Sequence, residues 1–331
     1  MKKLINVPQD VPDEEVEGFV RAFPNYVRKL EDARVVVRRD APVKGKVGIL
    51  VGGGSGHEPF WFGYTGKGMY DAVVVGEIFS SPTPDAGYKA TKAIDGGEGI
   101  LYLLGNYEGD KMNLGIAKRR AESEGIAVEI TNVTDDVASA PKDRIEDRRG
   151  IAGNLFAIKI AGAKAESGGS LSEVKEAAEH ANRNIRTMGV ALSPCILPST
   201  RKPNFTMGED EMEVGMGIHG EPGIERTTLQ PADTVAEILA MKVLEDLPFQ
   251  EGDQVTALLN GLGGTPLQEL FILFRRIDEI LTAREIDVYR LFIGNYCTSI
   301  DMKGCSLSLM RLDDELRELL DAPADTPYFR T

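Results

Sequence analysis

Short apolar strands alternate with helical segments between residues 47 and 131, and this alternation constrains the fold more than any other feature of the sequence. The strands are predicted at residues 47–51, 72–75, 100–104 and 128–131. Helical patterns fill the two later intervals and end near Ile94 and Ser123. Continuous apolar strands separated by helices are typical of a largely parallel sheet that is covered on both faces. The sequence therefore predicts an α/β fold here.

The rest of the chain extends this pattern into two domains, as expected for 331 residues. We assign residues 1–187 to an N-terminal α/β domain, with further helices at 13–31, 152–167 and 171–187 and a strand at 35–37. Residues 188–331 are assigned to a C-terminal α/β domain. Its strands are predicted at 190–192, 211–218, 255–259, 288–293 and 306–310, and its helices at 232–246, 266–284 and 313–321. Each domain is expected to hold a mostly parallel or mixed sheet flanked by helices.

Charge and cysteine content exclude several classes of partner. A net charge of -14 argues against nucleic acid or an anionic membrane as the main partner. No apolar run approaches the length of a membrane span, and the N-terminus lacks the apolar core of a signal peptide. The three cysteines, Cys195, Cys297 and Cys305, form no Cys-x-x-Cys pair and are odd in number. We therefore expect free thiols and a cytoplasmic protein.

Two of the three histidines follow predicted strands and lie among glycines. His219 follows the alternating segment 211–218, and His57 follows an apolar strand and the glycine-rich run that contains Gly54, Ser55 and Gly56. Glycines allow backbone or ligand to approach closely, and a strand end can aim a side chain. An ordinary turn histidine is the alternative interpretation of each.

Three of these loops should meet at one edge of the N-terminal sheet. The His57 run, the loop with Ser80 and Ser81, and the loop with Asp110 each follow a predicted strand. Ligands of such sheets bind beyond the carboxyl ends of the strands. We therefore expect the three loops to converge on one rim. Asp110 has a simpler alternative role as the N-cap of the following helix.

Nucleotide and metal sites fit these residues poorly. The glycine run lacks the Gly-Lys-Ser/Thr ending of a phosphate loop. A dinucleotide site, and with it a nicotinamide-dependent oxidoreductase, would require an acidic residue such as Asp71 or Glu77 roughly twenty positions on. Neither histidine has zinc-ligand spacing. What remains is a carbonyl or polyol site, in which an imidazole attacks a carbonyl carbon and a carboxylate takes a proton from a hydroxyl.

Several motifs resemble the substrate-binding subunit of the dihydroxyacetone kinase family. They are Gly-Gly-Gly-Ser-Gly-His-Glu-Pro at 52–59, Gly-Glu-Ile-Phe-Ser-Ser-Pro-Thr-Pro-Asp at 76–85, Asn-Tyr-Glu-Gly-Asp at 106–110 and Gly-Ile-His-Gly-Glu-Pro-Gly at 217–223. Asn-Gly-Leu-Gly-Gly-Thr-Pro at 260–266 and Tyr-Cys-Thr-Ser-Ile-Asp-Met at 296–302 agree as well. The resemblance runs along the whole chain in the same order, which makes it specific.

The resemblance implies a role for each candidate residue. His219 would hold a short ketose as a hemiaminal, His57 would transfer protons to and from the hemiaminal oxygen, and Asp110 would deprotonate the accepting hydroxyl. The remaining substrate-binding candidates are Gly54, Ser55, Gly56, Ser80, Ser81, Gly105 and Trp61.

The resemblance also implies a homodimer that acts with a partner. This chain is expected to bind no cofactor and no metal itself. ATP or ADP with Mg²⁺ would be carried by a nucleotide-binding kinase subunit, which in some members a phosphohistidine protein of the sugar phosphotransferase system recharges. A ketose-sensing paralogue that acts as coactivator of a transcription regulator is the main alternative.

Three positions depart from the family pattern. Gly105 stands where a lysine is usual, Trp61 where a second histidine is common, and Glu108 where a small residue is usual. The changes alter the size and polarity predicted for the pocket. They make a related ketose such as erythrulose an alternative to dihydroxyacetone.

Overall fold

The computed structural model describes residues 2–331, which form two compact units. We call the unit of Lys2–Val133, Phe156–Ala181 and Leu316–Thr331 the N-terminal unit. The C-terminal unit comprises Thr134–Leu155 and Asn182–Glu315. Each unit is built around one six-stranded sheet, which confirms the predicted α/β class with sheets flanked by helices.

The sheet of the N-terminal unit has the strand order β1-β2-β4-β3-β5-β6. Its strands are β1 (Val27–Lys29), β2 (Val35–Arg38), β3 (Gly48–Ser55), β4 (Ala72–Ile78), β5 (Ile100–Leu104) and β6 (Val128–Asn132). The helices of this part of the chain are α1 (Val11–Ala22), α2 (Pro84–Ile94), α3 (Glu108–Glu122), α4 (Asn154–Glu166) and α5 (Leu171–Asn184). Strands β3 to β6 are parallel, whereas β1 and β2 join the sheet antiparallel.

The central strands of this sheet are buried because apolar side chains cover both faces. Every residue of β3 and β5 is buried, and Leu50, Val74 and Tyr102 belong to the core under α2 and α3. Such burial on two faces explains why these strands are continuous apolar runs in the sequence. Threonine at the N-cap of α2 and proline in its first turn define where that helix begins.

Two predictions for this unit were wrong. The helix predicted at 13–31 ends at Ala22, and Val27 lies in a strand that pairs with β2. Pro24 explains the early end, because proline cannot continue a helix and disfavours helical backbone at the residue before it. The glycine run was expected to form a loop, but Gly52, Gly53 and Gly54 continue β3 beside β4 as far as Ser55.

The sheet of the C-terminal unit has the order β11-β10-β12-β7-β8-β9. Its strands are β7 (Ile185–Ala191), β8 (Glu211–Val214), β9 (Glu225–Thr228), β10 (Gln254–Asn260), β11 (Asp287–Gly294) and β12 (Gly304–Leu312). The helices are α6 (Ala232–Asp246) and α7 (Leu267–Thr282), and α8 (Asp314–Asp321) follows β12. Among the strand pairs that the structure describes here, only β10 and β11 are parallel, so this sheet is mixed. Its core includes Leu239, Leu259 and Leu307.

Three boundaries in this part of the chain, those of α5, of β8 and of the domains, differ from the boundaries predicted from the sequence. Helix α5 ends at Asn184 rather than at 187, because Ile185 begins β7. The domain boundary predicted between 187 and 188 therefore falls inside a strand, and each unit is discontinuous in sequence. Strand β8 ends at Val214 instead of 218, so His219 lies well beyond the strand end.

Smaller predictions can be compared with the residues that the structure describes. Cys195, Cys297 and Cys305 are buried free thiols, as expected. Across residues 2–331 no helix is long and apolar enough to cross a bilayer. Within the same residues, no three His, Cys, Asp or Glu side chains cluster in a way that could hold a metal ion.

Candidate active site

The three loops of the N-terminal unit converge at one edge of its sheet, as predicted. Strands β4, β3 and β5 are adjacent and parallel, so the loops after them leave at the same edge. A Cβ atom at Gly54 would lie 2.4 Å from Ser80 N, and one at Gly109 would lie 2.4 Å from Ser81 Oγ. The Ser80–Ser81 loop thus lies against both β3 and the first turn of α3. At Gly54 the close atoms are backbone, so glycine is required there.

His57 is buried and held in place by stacking. Its ring lies 5.0 Å from the Phe79 ring with an interplanar angle of 23°. Phe79 has a φ of +56°, which costs free energy for a bulky residue and must be imposed by its surroundings. The N–H of Phe79 donates to the carbonyl of Ser55 at 3.0 Å. The loop after β4 therefore fixes the imidazole that follows β3.

Trp61 forms a wall beside His57. Its indole lies over Gly53, where a Cβ atom would be 2.3 Å from Cζ2, and its ring centroid is 6.4 Å from that of His57. Both Trp61 Nε1 and Ser55 Oγ are buried, and neither has a hydrogen-bond partner among the described residues. Buried polar atoms normally have a partner. The two atoms are therefore suited to bind oxygens of a small ligand.

Asp110 lies in the first turn of α3 and is 5% exposed. The N-cap alternative was wrong, because Tyr107 occupies the cap position and makes no side-chain capping bond. A carboxylate in the first turn is stabilised by the helix dipole. Gly105 is buried at the end of β5, one residue before Asn106. The side chain of Glu108 is 87% exposed and pairs with Lys111, so its carboxylate is directed to solvent.

His219 lies in the hairpin loop 215–224 that joins β8 to β9. Gly215 and Gly220 have φ values of +81° and +89°, which glycine adopts without strain. The side-chain amide of Asn204 donates to the carbonyl of His219 at 3.0 Å. At Gly220, a Cβ atom would lie 2.5 Å from Asn204 Nδ2. Asn204 and the glycines together fix the backbone that carries His219.

Glu221 orients the imidazole of His219. Its carboxylate accepts the backbone N–H of His219 at 2.9 Å, and the distance between His219 Nδ1 and Glu221 Oε1 is also 2.9 Å. Burial alone would raise the pKa of Glu221, but the hydrogen bond and charge of His219, with Arg149, lower this pKa to about 2. An ionised carboxylate only accepts hydrogen bonds, so Nδ1 carries the proton of the neutral imidazole. The lone pair is consequently on Nε2.

Arg149 lies next to the carboxylate of Glu221. Its Nη1 atom lies 3.9 Å from Glu221 Oε2, and its Nη2 atom lies 2.9 Å from the buried carboxylate of Asp136. Sequence reasoning missed both Glu221 and Arg149. For Glu221 a signal existed, because a glutamate two residues after a histidine in a glycine-rich loop can reach its ring. Arg149 is remote in sequence and carries no such signal.

The candidate residues divide between the two units. The N-terminal unit brings together the loops with His57, Ser80 and Asp110. His219 lies with Glu221 in the C-terminal unit. The N-terminal unit thus carries buried polar groups around a glycine-rich strand, and the C-terminal unit carries an imidazole that a carboxylate orients.

The sequence matches known proteins along its whole length. Residues 17–328 match the family model described as the Dak1 domain. The chain is 49% identical to the dihydroxyacetone-binding subunit DhaK of PTS-dependent dihydroxyacetone kinase 2 of Listeria innocua serovar 6a, over 100% of this chain and 99% of that protein. It is 42% identical to the L-erythrulose kinase of Pectobacterium atrosepticum, over 100% of this chain but 56% of that protein.

Solved structures agree with these matches. The dihydroxyacetone kinase from C. freundii, in complex with AMP-PNP and Mg²⁺, is similar with a TM-score of 0.91 and 35% identity, over 100% of this chain and 61% of that one. A dihydroxyacetone kinase operon co-activator is similar with a TM-score of 0.89 and 32% identity, over 96% of this chain and 98% of that one.

Proposed function

Because the chain belongs to the Dak1 domain family, we propose that it is the ketose-binding subunit of a dihydroxyacetone-type kinase. It binds dihydroxyacetone, or a related short ketose such as erythrulose, for phosphorylation by a separate subunit in the cytoplasm. Similarity over the full chain to the Listeria innocua DhaK, which is named as a dihydroxyacetone-binding subunit, supports this proposal. The observation that carries the chemistry is the pairing of His219 with Glu221.

The covalent step follows from the tautomer of His219. The Nε2 lone pair attacks the carbonyl carbon of the ketose, a C–N bond forms, and the π electrons of the C=O bond move to oxygen. That oxygen takes a proton from His57 and becomes the hydroxyl of a hemiaminal. The imidazole becomes cationic and the ionised Glu221 stabilises it through Nδ1–H. The Nδ1 proton then passes to solvent, and His57 regains from solvent the proton that it gave. Glycerol has no carbonyl carbon and therefore cannot form this bond.

Phosphoryl transfer requires a base and a nucleotide. Asp110, buried in the first turn of α3, takes the proton of the hydroxyl that receives the phosphoryl group. ATP on the partner subunit would supply the phosphoryl group, and Mg²⁺ would neutralise its charge; a partner that carries ADP would first have to be phosphorylated to ATP. The C. freundii kinase solved with AMP-PNP and Mg²⁺ extends beyond the region that resembles residues 1–331, which supports a nucleotide site outside that region. A phosphohistidine protein of the phosphotransferase system is the proposed source of phosphate in the ADP form.

Trp61 and Gly105 shape the choice of ketose. The indole N–H and Ser55 Oγ offer buried hydrogen-bonding groups to ligand hydroxyls. Gly105 removes the side chain from the end of β5 and adds no charge. A pocket with these groups favours recognition by neutral hydrogen bonds, and erythrulose kinases among the relatives support a ketose larger than dihydroxyacetone as an alternative substrate.

The decisive experiment for function is transfer to the ketose in the presence of a nucleotide-carrying partner subunit. We expect a phosphate ester of dihydroxyacetone or erythrulose, detected by ³¹P NMR, and none without this chain. The similarity to an operon co-activator favours a sensor as second candidate. Covalent capture of the ketose without any transfer, together with binding to a transcription regulator, would favour the sensor.

Glu221→Ala is expected to slow hemiaminal formation by roughly 10- to 100-fold, the size of effect that follows removal of a carboxylate that orients a metal-bound histidine. The imidazole then loses its fixed tautomer and the carboxylate that stabilises its cation. Stopped-flow measurement of ketose capture provides the rate, and Glu225→Ala, an exposed glutamate in β9, is the matched control. A rate equal to that of the wild type would remove Glu221 from the mechanism.

The pairing of Glu221 with His219 also predicts a contribution to folding stability that is lost in acid. The folded protein holds the pKa of Glu221 at about 2, whereas the ordinary value is 4.5. Its contribution is therefore complete above pH 4.5 and is lost as pH falls towards 2. Thermal unfolding between pH 3 and pH 7 should show a smaller pH dependence in Glu221→Ala than in the wild type.

The chain is also proposed to form a homodimer, through the edge strand β11. Among the strands of residues 2–331 it pairs only with β10, and Tyr289 is exposed on it. Leu267 and Phe271 on the neighbouring helix α7 are exposed as well. An apolar edge strand pairs readily with a second copy across a two-fold axis. Tyr289→Glu should therefore halve the mass measured by light scattering, whereas Ile116→Glu on α3 should not; an unchanged mass would place the interface elsewhere.

A further inference from the structure

The side chain of Glu58 folds back onto the turn that carries His57. The N–H of Gly56 donates to both carboxylate oxygens of Glu58, at 2.9 and 3.1 Å. Gly56 has a φ of +102°, so the chain bends sharply between Ser55 and His57. A carboxylate that accepts from the backbone of its own turn holds that turn in one conformation. Glu58 is therefore bound to the turn from which His57 leaves the sheet.

Helix α1 packs against this same segment. The Phe19 and Phe62 rings lie 4.7 Å apart. Glu15 precedes Phe19 by four residues on α1 and so lies on the same face of the helix. Glu58 precedes Phe62 by four residues in the packed segment, and the side chain of Glu15 hydrogen-bonds to Glu58. The helix thus contacts the His57 segment at an aromatic pair and at a carboxyl pair.

Two carboxyl groups in contact cannot both be ionised without strong repulsion. Burial, followed by the charge and hydrogen bond of Glu58, raises the pKa of Glu15 to about 9. Burial also raises the pKa of Glu58, although backbone N–H groups of the turn, including that of Gly56, oppose this. At neutral pH Glu15 therefore keeps its proton and donates it to the carboxylate of Glu58.

We propose that Glu15 and Glu58 share one proton and act together as positioning residues for His57. The protonated Glu15 bridges α1 to the carboxylate that holds the turn. Other charged groups lie nearby: Lys3 and Glu14 line the same cavity as Glu15, Asn6 binds Glu14, and Asp13 on the same helix lies 3.4 Å from Arg34. When Glu15 loses its proton, the two carboxylates repel, and the turn that aims His57 is displaced.

The expected pH dependence has a defined sign. The folded protein keeps the proton on Glu15 up to about pH 9, whereas an unfolded glutamate releases it near 4.5. The contribution of the pair to stability is therefore complete below pH 4.5 and declines up to about pH 9. Above pH 9 the rate at which His57 assists ketose capture should fall, by about tenfold for each further pH unit, as for any single ionisation.

This positioning role rests on the proposed function where its readout is ketose capture. The experiment measures capture rates from pH 6 to pH 10 for the wild type, Glu15→Gln and the matched control Glu17→Gln, an exposed glutamate paired with Arg21 on the same helix. The amide introduced by Glu15→Gln donates a hydrogen bond to Glu58 and does not ionise. We expect an alkaline decline in the wild type and in Glu17→Gln that is absent in Glu15→Gln. An identical decline in all three, or no decline in the wild type, would overturn the proposal.

Thermal unfolding over the same pH range separates this proposal from the proposed function, because it needs no ketose. Relative to the wild type, Glu15→Gln should gain stability as pH rises from 6 to 9. Absence of any adduct together with this gain would contradict the proposed function but support the carboxyl pair. A parallel pH dependence in both proteins would contradict the pair. Should Glu15→Gln fail to fold, Glu58→Gln supplies the same comparison.

Discussion

His219→Ala is expected to abolish covalent capture of the ketose and to lower phosphoryl transfer by at least about 10³-fold. The mutation removes the only nucleophile of the proposed step, and with it the fixed position of the hydroxyl that is phosphorylated. The fold should be retained, because His219 lies in a hairpin loop and its side chain is 22% exposed. Transfer rates with the partner subunit and far-UV circular dichroism check both expectations.

His180→Ala is the matched control for this variant. His180 is a half-buried histidine on α5 that plays no part in the proposed chemistry. Capture and transfer should be those of the wild type in this variant. Capture that persists in His219→Ala would assign the covalent bond to another residue, and loss of capture in both variants would indicate general damage to the fold.

Asp110→Asn is expected to leave ketose capture intact while lowering phosphoryl transfer by about 10²- to 10⁴-fold, the usual contribution of a general base. Asparagine keeps the size of the side chain but cannot take a proton from the accepting hydroxyl. Because the two steps use different residues, capture and transfer separate in this variant. The measurements are the adduct fraction at saturation and kcat for transfer.

The control for Asp110→Asn is Glu122→Gln, at the exposed end of the same helix. It removes one carboxylate from α3 without approaching the loops after β3, β4 and β5. Wild-type transfer in Asp110→Asn would show that this carboxylate only stabilises the start of the helix. A loss of capture in Asp110→Asn would instead assign Asp110 to ketose binding.

The strands of the N-terminal sheet could be predicted because burial on both faces leaves a continuous apolar run in the sequence. The glycine run could not be recognised as strand from propensity, since glycine disfavours strands. The glycines are needed in this strand because of tertiary contacts: the indole of Trp61 lies against Gly53, and the loop after β4 lies against Gly54. Likewise, the end of α1 could have been found from Pro24, but β1 becomes a strand only by pairing with β2.

The His219 loop shows a second reason why the structure could not be fully predicted from the sequence. Polar and apolar residues alternate in the sequence up to residue 218, yet β8 ends at Val214 because Gly215 turns the chain. Beyond this turn, the backbone N–H of His219 donates to the side chain of Glu221 rather than to a neighbouring strand. Strand β9, Glu-Arg-Thr-Thr, was missed because it is polar and lies at the sheet edge. The position of His57 among glycines was visible in the sequence. Its stacking on Phe79 was not, since a positive φ at phenylalanine depends on the surrounding fold.

The most direct test of the central claim is native mass spectrometry of the wild-type protein mixed with dihydroxyacetone, with erythrulose and with glycerol. A hemiaminal on His219 adds the whole mass of the ketose, whereas a Schiff base on lysine would add that mass less one water. We predict whole-mass addition with at least one ketose, none with glycerol, and peptide fragments that place the added mass on His219. Addition less one water, equal addition with glycerol, or no addition with either ketose would contradict the claim.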